Sequence, residues 1–160
     1  MYRIGFGSDV HRLVEDKKLI LGGVHVESDL GAEGHSDADA LTHAVTDAIL
    51  GALALGDIGS HFSDAEERWK NAESFVFLRY AVGLMKEKGF SVENVDTVVH
   101  LEKPKLRPFI DEIRENLALA LEIEKECVSV KVKTGEKMDA VGERRAIKAE
   151  AIVLLKNIEN

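Results

Sequence analysis

Asp9 and His11 stand two residues apart in the segment Gly7-Ser8-Asp9-Val10-His11, directly after a short β-rich run. In an extended chain, residues i and i+2 project to the same side. A carboxylate oxygen and an imidazole nitrogen can therefore be offered to one point. Asp-x-His alone recurs by chance, and its plain reading is a turn aspartate beside a satisfied histidine. His43 strengthens the case, because it lies in a long helical pattern with Asp47 four residues on, on the same face. Such a carboxylate can accept one ring N–H and fix the other nitrogen for a metal. Asp9, His11 and His43 form a nitrogen and oxygen ligand set that fits zinc with a fourth position left open, as catalytic sites keep it. Ligand type alone also admits manganese, iron or cobalt. Structural zinc would more often use thiolates, and the sequence has one cysteine, Cys127, in an apolar run suited to buried filler.

Phosphate chemistry is suggested by Gly34-His35-Ser36-Asp37-Ala38-Asp39 at the start of the same helix. Free amides and the positive end of the helix dipole lie there, with His35 and Ser36 as further donors. Asp37 and Asp39 read as caps and supporting groups. Asp57, between Gly56 and Gly59, marks a loop that closely approaches a ligand and is a candidate for sugar hydroxyls. Glu102 to Arg107 is basic and stiffened by Pro104, although a solvated lysine pair is its bland reading. Lys133-Thr134-Gly135-Glu136-Lys137 combines amides, a hydroxyl, a cation and a carboxylate, suited to a phosphate with a second, magnesium-type ion. By itself that segment would be a hairpin turn.

These residues need elements to hold them. Strands are expected over Arg3 to Phe6, Lys18 to Leu21, Val24 to Val26, Val95 to Leu101, Val128 to Lys133 and Ala149 to Leu155. Helices are expected over about 37–55, with Ser36 as N-cap, Asp39 completing a capping-box-like pair and Gly56 as terminator, over 72–88, and from Pro108 to about Leu121. Strands and helices that alternate after a β-rich start predict an α+β fold, one sheet with helices on one face. Val128, Val130 and Val132 would then leave an apolar face open, and association through it predicts a homo-oligomer.

The 160 residues suit one domain spanning 1–160, with 45% hydrophobic and 31% charged residues. A net charge of -8 removes any basic footprint for nucleic acid or an anionic membrane. Any phosphate ligand must therefore meet locally placed positive potential, from metal ions, helix N-termini and a few lysines. The first residues lack a signal-peptide core, no run approaches a membrane span, and one cysteine fits a reducing compartment. The expectation is a cytoplasmic protein, or one of the plastid stroma if a transit peptide has been removed.

Taken together, Gly7-Ser8-Asp9-Val10-His11, His35-Ser36-Asp37-Ala38-Asp39, His43-Ala44-Val45-Thr46-Asp47 and Leu55-Gly56-Asp57-Ile58-Gly59 resemble the signature of the 2-C-methyl-D-erythritol 2,4-cyclodiphosphate synthase family. The similarity runs along essentially the whole chain. It implies a mixed sheet facing the threefold axis of a homotrimer, with active sites between subunits. It implies that Asp9, His11 and His43 hold zinc, that His35 and Thr134 steady the reacting phosphates, and that Ser36 contacts them. Glu136 would hold a magnesium or manganese ion on the diphosphate, beside Lys133. Asp57, Ile58 and Gly59 would meet the methylerythritol, with Phe62 and Asp64 in the loop over the substrate. Pro104, Lys105 and Leu106 would help form a cytidine pocket. The implied reaction is cyclisation of 4-diphosphocytidyl-2-C-methyl-D-erythritol 2-phosphate with release of CMP, in the non-mevalonate isoprenoid pathway.

The chain departs from its relatives in places. Ser63 stands where a proline is usual, and Lys133-Thr134-Gly135 replaces a threonine-rich turn. Relatives also carry a phenylalanine and an arginine around an axial cavity that can hold an isoprenoid diphosphate. Ala140 and Glu143 occupy those positions here, with Arg144 and Arg145 as the neighbouring cations, so that ligand is not carried over. Two other readings compete: a zinc phosphohydrolase, and a non-catalytic trimer clamped by zinc.

Overall fold

The structure, a computed structural model, describes residues 1–63 and 66–158. Its centre is a five-stranded sheet in the order β4-β1-β7-β5-β6, made of β1 (Tyr2–Val14), β4 (Gly31–Glu33), β5 (Phe90–His100), β6 (Val128–Lys133) and β7 (Ala146–Asn157). β1 and β5 both pair antiparallel with β7, whereas β6 runs parallel to β5, so the sheet is mixed. A separate hairpin of β2 (Leu19–Leu21) and β3 (Val24–Val26) stands outside it, where a single sheet was expected.

The helices α1 (Ala40–Ala52), α3 (Ser74–Glu87) and α4 (Ile110–Leu121) cover one face, with short α2 (Ile58–His61) and α5 (Asp139–Gly142) at loops. β1 is much longer than the expected Arg3 to Phe6. Gly7 and the residues after it fell beyond the expected strand, but continuous pairing with β7 from Tyr2 to Arg12 holds them in it. Gly5 and Gly7 also set how near α1 can come. A Cβ on Gly5 would lie 1.8 Å from the Ala48 carbonyl oxygen, and one on Gly7 would lie 2.0 Å from that of Ala44. Glycine on the strand facing alanine on the helix lets the two backbones touch, and Leu41, Val45, Ile49 and Leu50 fill the core around this contact.

α1 starts three residues later and ends three earlier than expected. Its N-cap is Asp39, not Ser36, because Asp39 accepts the Thr42 N–H at 3.0 Å and the Thr42 hydroxyl at 2.7 Å. The same buried carboxylate accepts the N–H groups of Gly22 and Gly23, tying the hairpin to the helix start. Ser36 caps only a local turn, through Ala38 N–H at 3.3 Å.

The open face also differs from the expectation. Val130 and Val132 pack against the helix-side core, and Val128 is buried there. The apolar groups left uncovered are Ile4, Phe6 and Val10 of β1 with Ile152 of β7, on the side opposite Gly5 and Gly7. Among the described residues no helix is long and apolar enough to cross a membrane.

Candidate active site

Alternation along β1 turns Asp9 and His11 toward the helices, on the side of Gly5 and Gly7. The close approach of α1 then brings His43, in its first turn, over them. Asp9 Oδ2 lies 2.8 Å from His11 Nε2 and 2.9 Å from His43 Nδ1, and the two nitrogens are 3.4 Å apart. Among the described residues this is the group whose ligand atoms converge, all within 4.8 Å of one another.

The remaining ring nitrogens have partners of their own. His11 Nδ1 is 2.9 Å from the Glu33 carbonyl oxygen, which can only accept, so Nδ1 carries a proton; Nε2, which faces Asp9, is the nitrogen a metal would take in exchange for its own proton. His43 Nε2 is 2.7 Å from the Ser74 hydroxyl and 3.2 Å from that of Ser36. Two imidazole nitrogens and a carboxylate oxygen thus face one point, and this donor set, once deprotonated, fits a zinc-type ion. The electrostatics agree. Burial opposes ionisation of Asp9, yet hydrogen bonds and charge from His11 and His43 hold its carboxyl far below the usual range. Burial likewise opposes a charged His11, but the Asp9 carboxylate more than compensates and raises its pKa above 6.5.

The cluster opens into a cleft of roughly 400 Å³ that also includes His35, Ser36, Asp57, Ile58, Gly59 and Phe62. His35 Nε2 is buried there without a hydrogen-bond partner among the described residues, an unspent donor or acceptor. Asp47 does not orient His43 as expected. Its Oδ1 accepts the Ile58 N–H at 2.8 Å, stitching the 55–59 loop to α1, while Asp9 takes the place beside His43. Burial and the neighbouring Asp57 and Asp9 charges push the Asp47 carboxyl up, against the pull of that N–H. Asp57 caps α2, with the Ser60 hydroxyl and N–H holding its carboxyl down. Sequence reasoning missed the aromatic wall of Trp69 and Phe77 packed on Phe62, and the buried Ser74 behind His43. Asp64 lies outside the described residues.

A second cluster gathers the remaining predicted residues. The Thr134 hydroxyl donates to Glu136 Oε1 at 2.7 Å, Gly135 N–H donates to Glu102, and Leu101 N–H donates to the Lys133 carbonyl. Pro104 and Lys105 follow on that loop, whereas Leu106 is buried in the core. This cluster sits at the same end of the sheet as His11, since His11 pairs with Ile147, Lys148 with His100 and His100 with Lys133. Three strand spacings, about 14 Å, separate them within one chain. Arg144 is engaged by Asp29 and Arg145 by Glu143.

A mixed sheet backed by helices, carrying an Asp-His-His cluster in an open cleft, defines an α+β protein with a candidate catalytic metal centre. The family model described as the YgbB family matches residues 2–156. The chain belongs to the YgbB family. It is 56% identical over 153 residues to the 2-C-methyl-D-erythritol 2,4-cyclodiphosphate synthase of Solibacter usitatus, covering 96% of each chain. Among solved structures, bifunctional IspDF from Campylobacter jejuni matches with a TM-score of 0.94 at 37% identity, over 98% of this chain and 42% of that one. A CDP complex of IspF from Plasmodium falciparum matches with a TM-score of 0.86 at 38% identity, over 98% and 96% of the two chains. The family resemblance read from the motifs is borne out.

Proposed function

We propose that this chain converts 4-diphosphocytidyl-2-C-methyl-D-erythritol 2-phosphate to 2-C-methyl-D-erythritol 2,4-cyclodiphosphate and CMP, as a phosphorus–oxygen lyase of the cytoplasm. The convergence of Asp9, His11 and His43 beside the unpartnered His35 carries this reading, together with relatives of that name at more than half identity. An oxygen of the 2-phosphate bonds to the β-phosphorus, and the bond from that phosphorus to the bridging oxygen breaks, leaving the oxygen with CMP. The nucleophile is already anionic, so no strong base is needed. The difficulty is crowded negative charge, next to Asp9, Asp47 and Asp57 in a protein of net charge -8. Zinc held by Asp9, His11 and His43, and a magnesium or manganese ion at Glu136, would supply charge neutralisation for the diphosphate.

The protein's own groups align the reacting atoms. His35 and Ser36 donate to phosphate oxygens at one end, and Thr134 and Lys133 steady them at the other. Asp57 and the 58–59 backbone take the methylerythritol hydroxyls, and the loop of Pro104, Lys105 and Leu106 receives the cytosine. One chain cannot do all of this, since its two clusters lie about 14 Å apart. A homotrimer packed through the open sheet face would set the Glu136 loop of one copy against the metal cluster of the next. Phosphorus NMR of the protein with zinc, magnesium and the cytidyl substrate tests the proposal. CMP with a cyclic diphosphate is expected; CMP with a linear phosphate ester, or inorganic phosphate, would replace it with a phosphohydrolase.

A further inference from the structure

Behind His43, on the side away from Asp9, a chain of polar contacts runs through buried Ser74 to half-buried Asp37 and takes no part in the chemistry described above. Ser74 opens α3 and is fully buried. Its hydroxyl lies 2.7 Å from His43 Nε2 and also donates to Asp37 Oδ1. Asp37 Oδ2 accepts the Ser74 N–H at 2.9 Å, and its Oδ1 also accepts the Asp39 N–H at 3.2 Å.

A serine hydroxyl has one proton to give and lone pairs to receive with. The Asp37 carboxylate can only accept, so it takes that proton. Ser74 Oγ must then accept from His43, which keeps a proton on Nε2; Nδ1, 2.9 Å from Asp9 Oδ2, donates to that carboxylate in the metal-free protein and is the nitrogen left to a metal once its own proton departs. A ring protonated on Nε2 with Nδ1 free is the tautomer a metal between Asp9, His11 and His43 requires. Ser36 Oγ, at 3.2 Å from the same nitrogen, is the more distant partner and already accepts from Ala38 N–H. We infer that Asp37, acting through Ser74, sets the tautomer of His43 and thereby readies the site for its metal. Both are positioning residues, and the inference rests on the metal-binding reading of the cluster, not on the identity of the product.

Asp37→Asn separates this role from a structural one. The two backbone donors compete for the single amide oxygen, and Ser74 N–H is the nearer. The amide nitrogen therefore falls on the Ser74 hydroxyl, which turns to donate to His43 Nε2. The contact that caps α3 survives, while the ring's remaining proton is held on Nδ1, where it blocks the metal. Full-length wild type, Asp37→Asn, Ser74→Ala and the double variant are titrated with zinc against a chromophoric chelator, and with cobalt(II) followed by its visible absorption.

The expected result is a loss of roughly 10- to 100-fold in metal affinity for each single variant. The cobalt spectrum should change in Asp37→Asn, the metal-free melting temperature should stay close to wild type, and the double variant should lose no more than Ser74→Ala. Wild-type affinity and spectrum in Asp37→Asn would overturn the inference, as would affinity lost only in step with unfolding of the metal-free protein. Turnover is not the readout, so failure to form the cyclic diphosphate would sink the proposed reaction and leave this result standing.

Discussion

At the scale of single residues, the site turns on which nitrogen of each histidine is free. Asp9-x-His11 and His43 were legible because side-chain direction in a strand and position in a helix follow from spacing. Asp47 was misread for a related reason. Four residues on a helix guarantee a shared face but not a contact, and the Ile58 N–H captures its carboxylate. Ser74 lies 31 residues from His43, and no local pattern marks such a partner. The proton on His11 gives a prediction. Its folded pKa lies above 6.5, so its pairing with Asp9 stabilises the metal-free protein below that value and is lost as pH rises through the folded pKa. The Asp9 contribution has the opposite sense, present above 3.8 and lost as pH falls through its lowered folded pKa. A metal must displace the His11 proton, so zinc binding strengthens as pH rises. The melting-temperature gain on adding zinc should therefore be larger at about pH 8 than at about pH 6, measured calorimetrically. A gain that does not vary with pH would remove His11 from the ligand set.

At the scale of elements, the contact between β1 and α1 does the positioning. The helix was readable from its apolar period, but its first turn was not. Ser36 and Asp39 are both good caps, and the choice falls to Asp39 because it also answers Gly22 and Gly23 of a hairpin distant in sequence. The length of β1 is not legible because Gly7 reads as a break, whereas it marks close approach of a backbone. Gly7→Ala tests that meaning. A methyl 2.0 Å from the Ala44 carbonyl cannot be relieved by rotating a side chain, so α1 must shift. The expected cost is about 3 kcal/mol in denaturant unfolding, with weakened zinc binding because His43 moves with the helix. Stability within about 0.5 kcal/mol of wild type would show that β1 and α1 are not held as close as described.

At the scale of the whole molecule, the distribution of apolar surface decides what one chain can do. An open apolar sheet face follows from sheet periodicity, but it lies on β1 and β7 and not on β6. Alternation alone does not say which face the helices cover: Val130 and Val132 turn to them, while Ile4 and Phe6 oppose the glycine side of β1. Phe6 is 59% exposed in the single chain. In the proposed trimer, Phe6→Glu places a charge in the sheet-to-sheet contact. Sedimentation should then show monomers that still bind zinc but make no cyclic diphosphate. A trimer that persists in that variant would move the interface elsewhere.

In the proposed composite site, different copies supply the two clusters at one end of the sheet. His43→Ala removes the metal cluster, and Glu136→Ala removes the diphosphate loop; each should be inactive alone. Equal amounts of the two, unfolded together and reassembled, are then assayed for cyclic diphosphate. Random mixing around a ring leaves roughly a quarter of the sites with both halves intact, so the proposed composite site predicts about a quarter of wild-type activity. No recovery in correctly assembled trimers would mean that both halves come from the same chain, and would contradict the active site proposed for this protein.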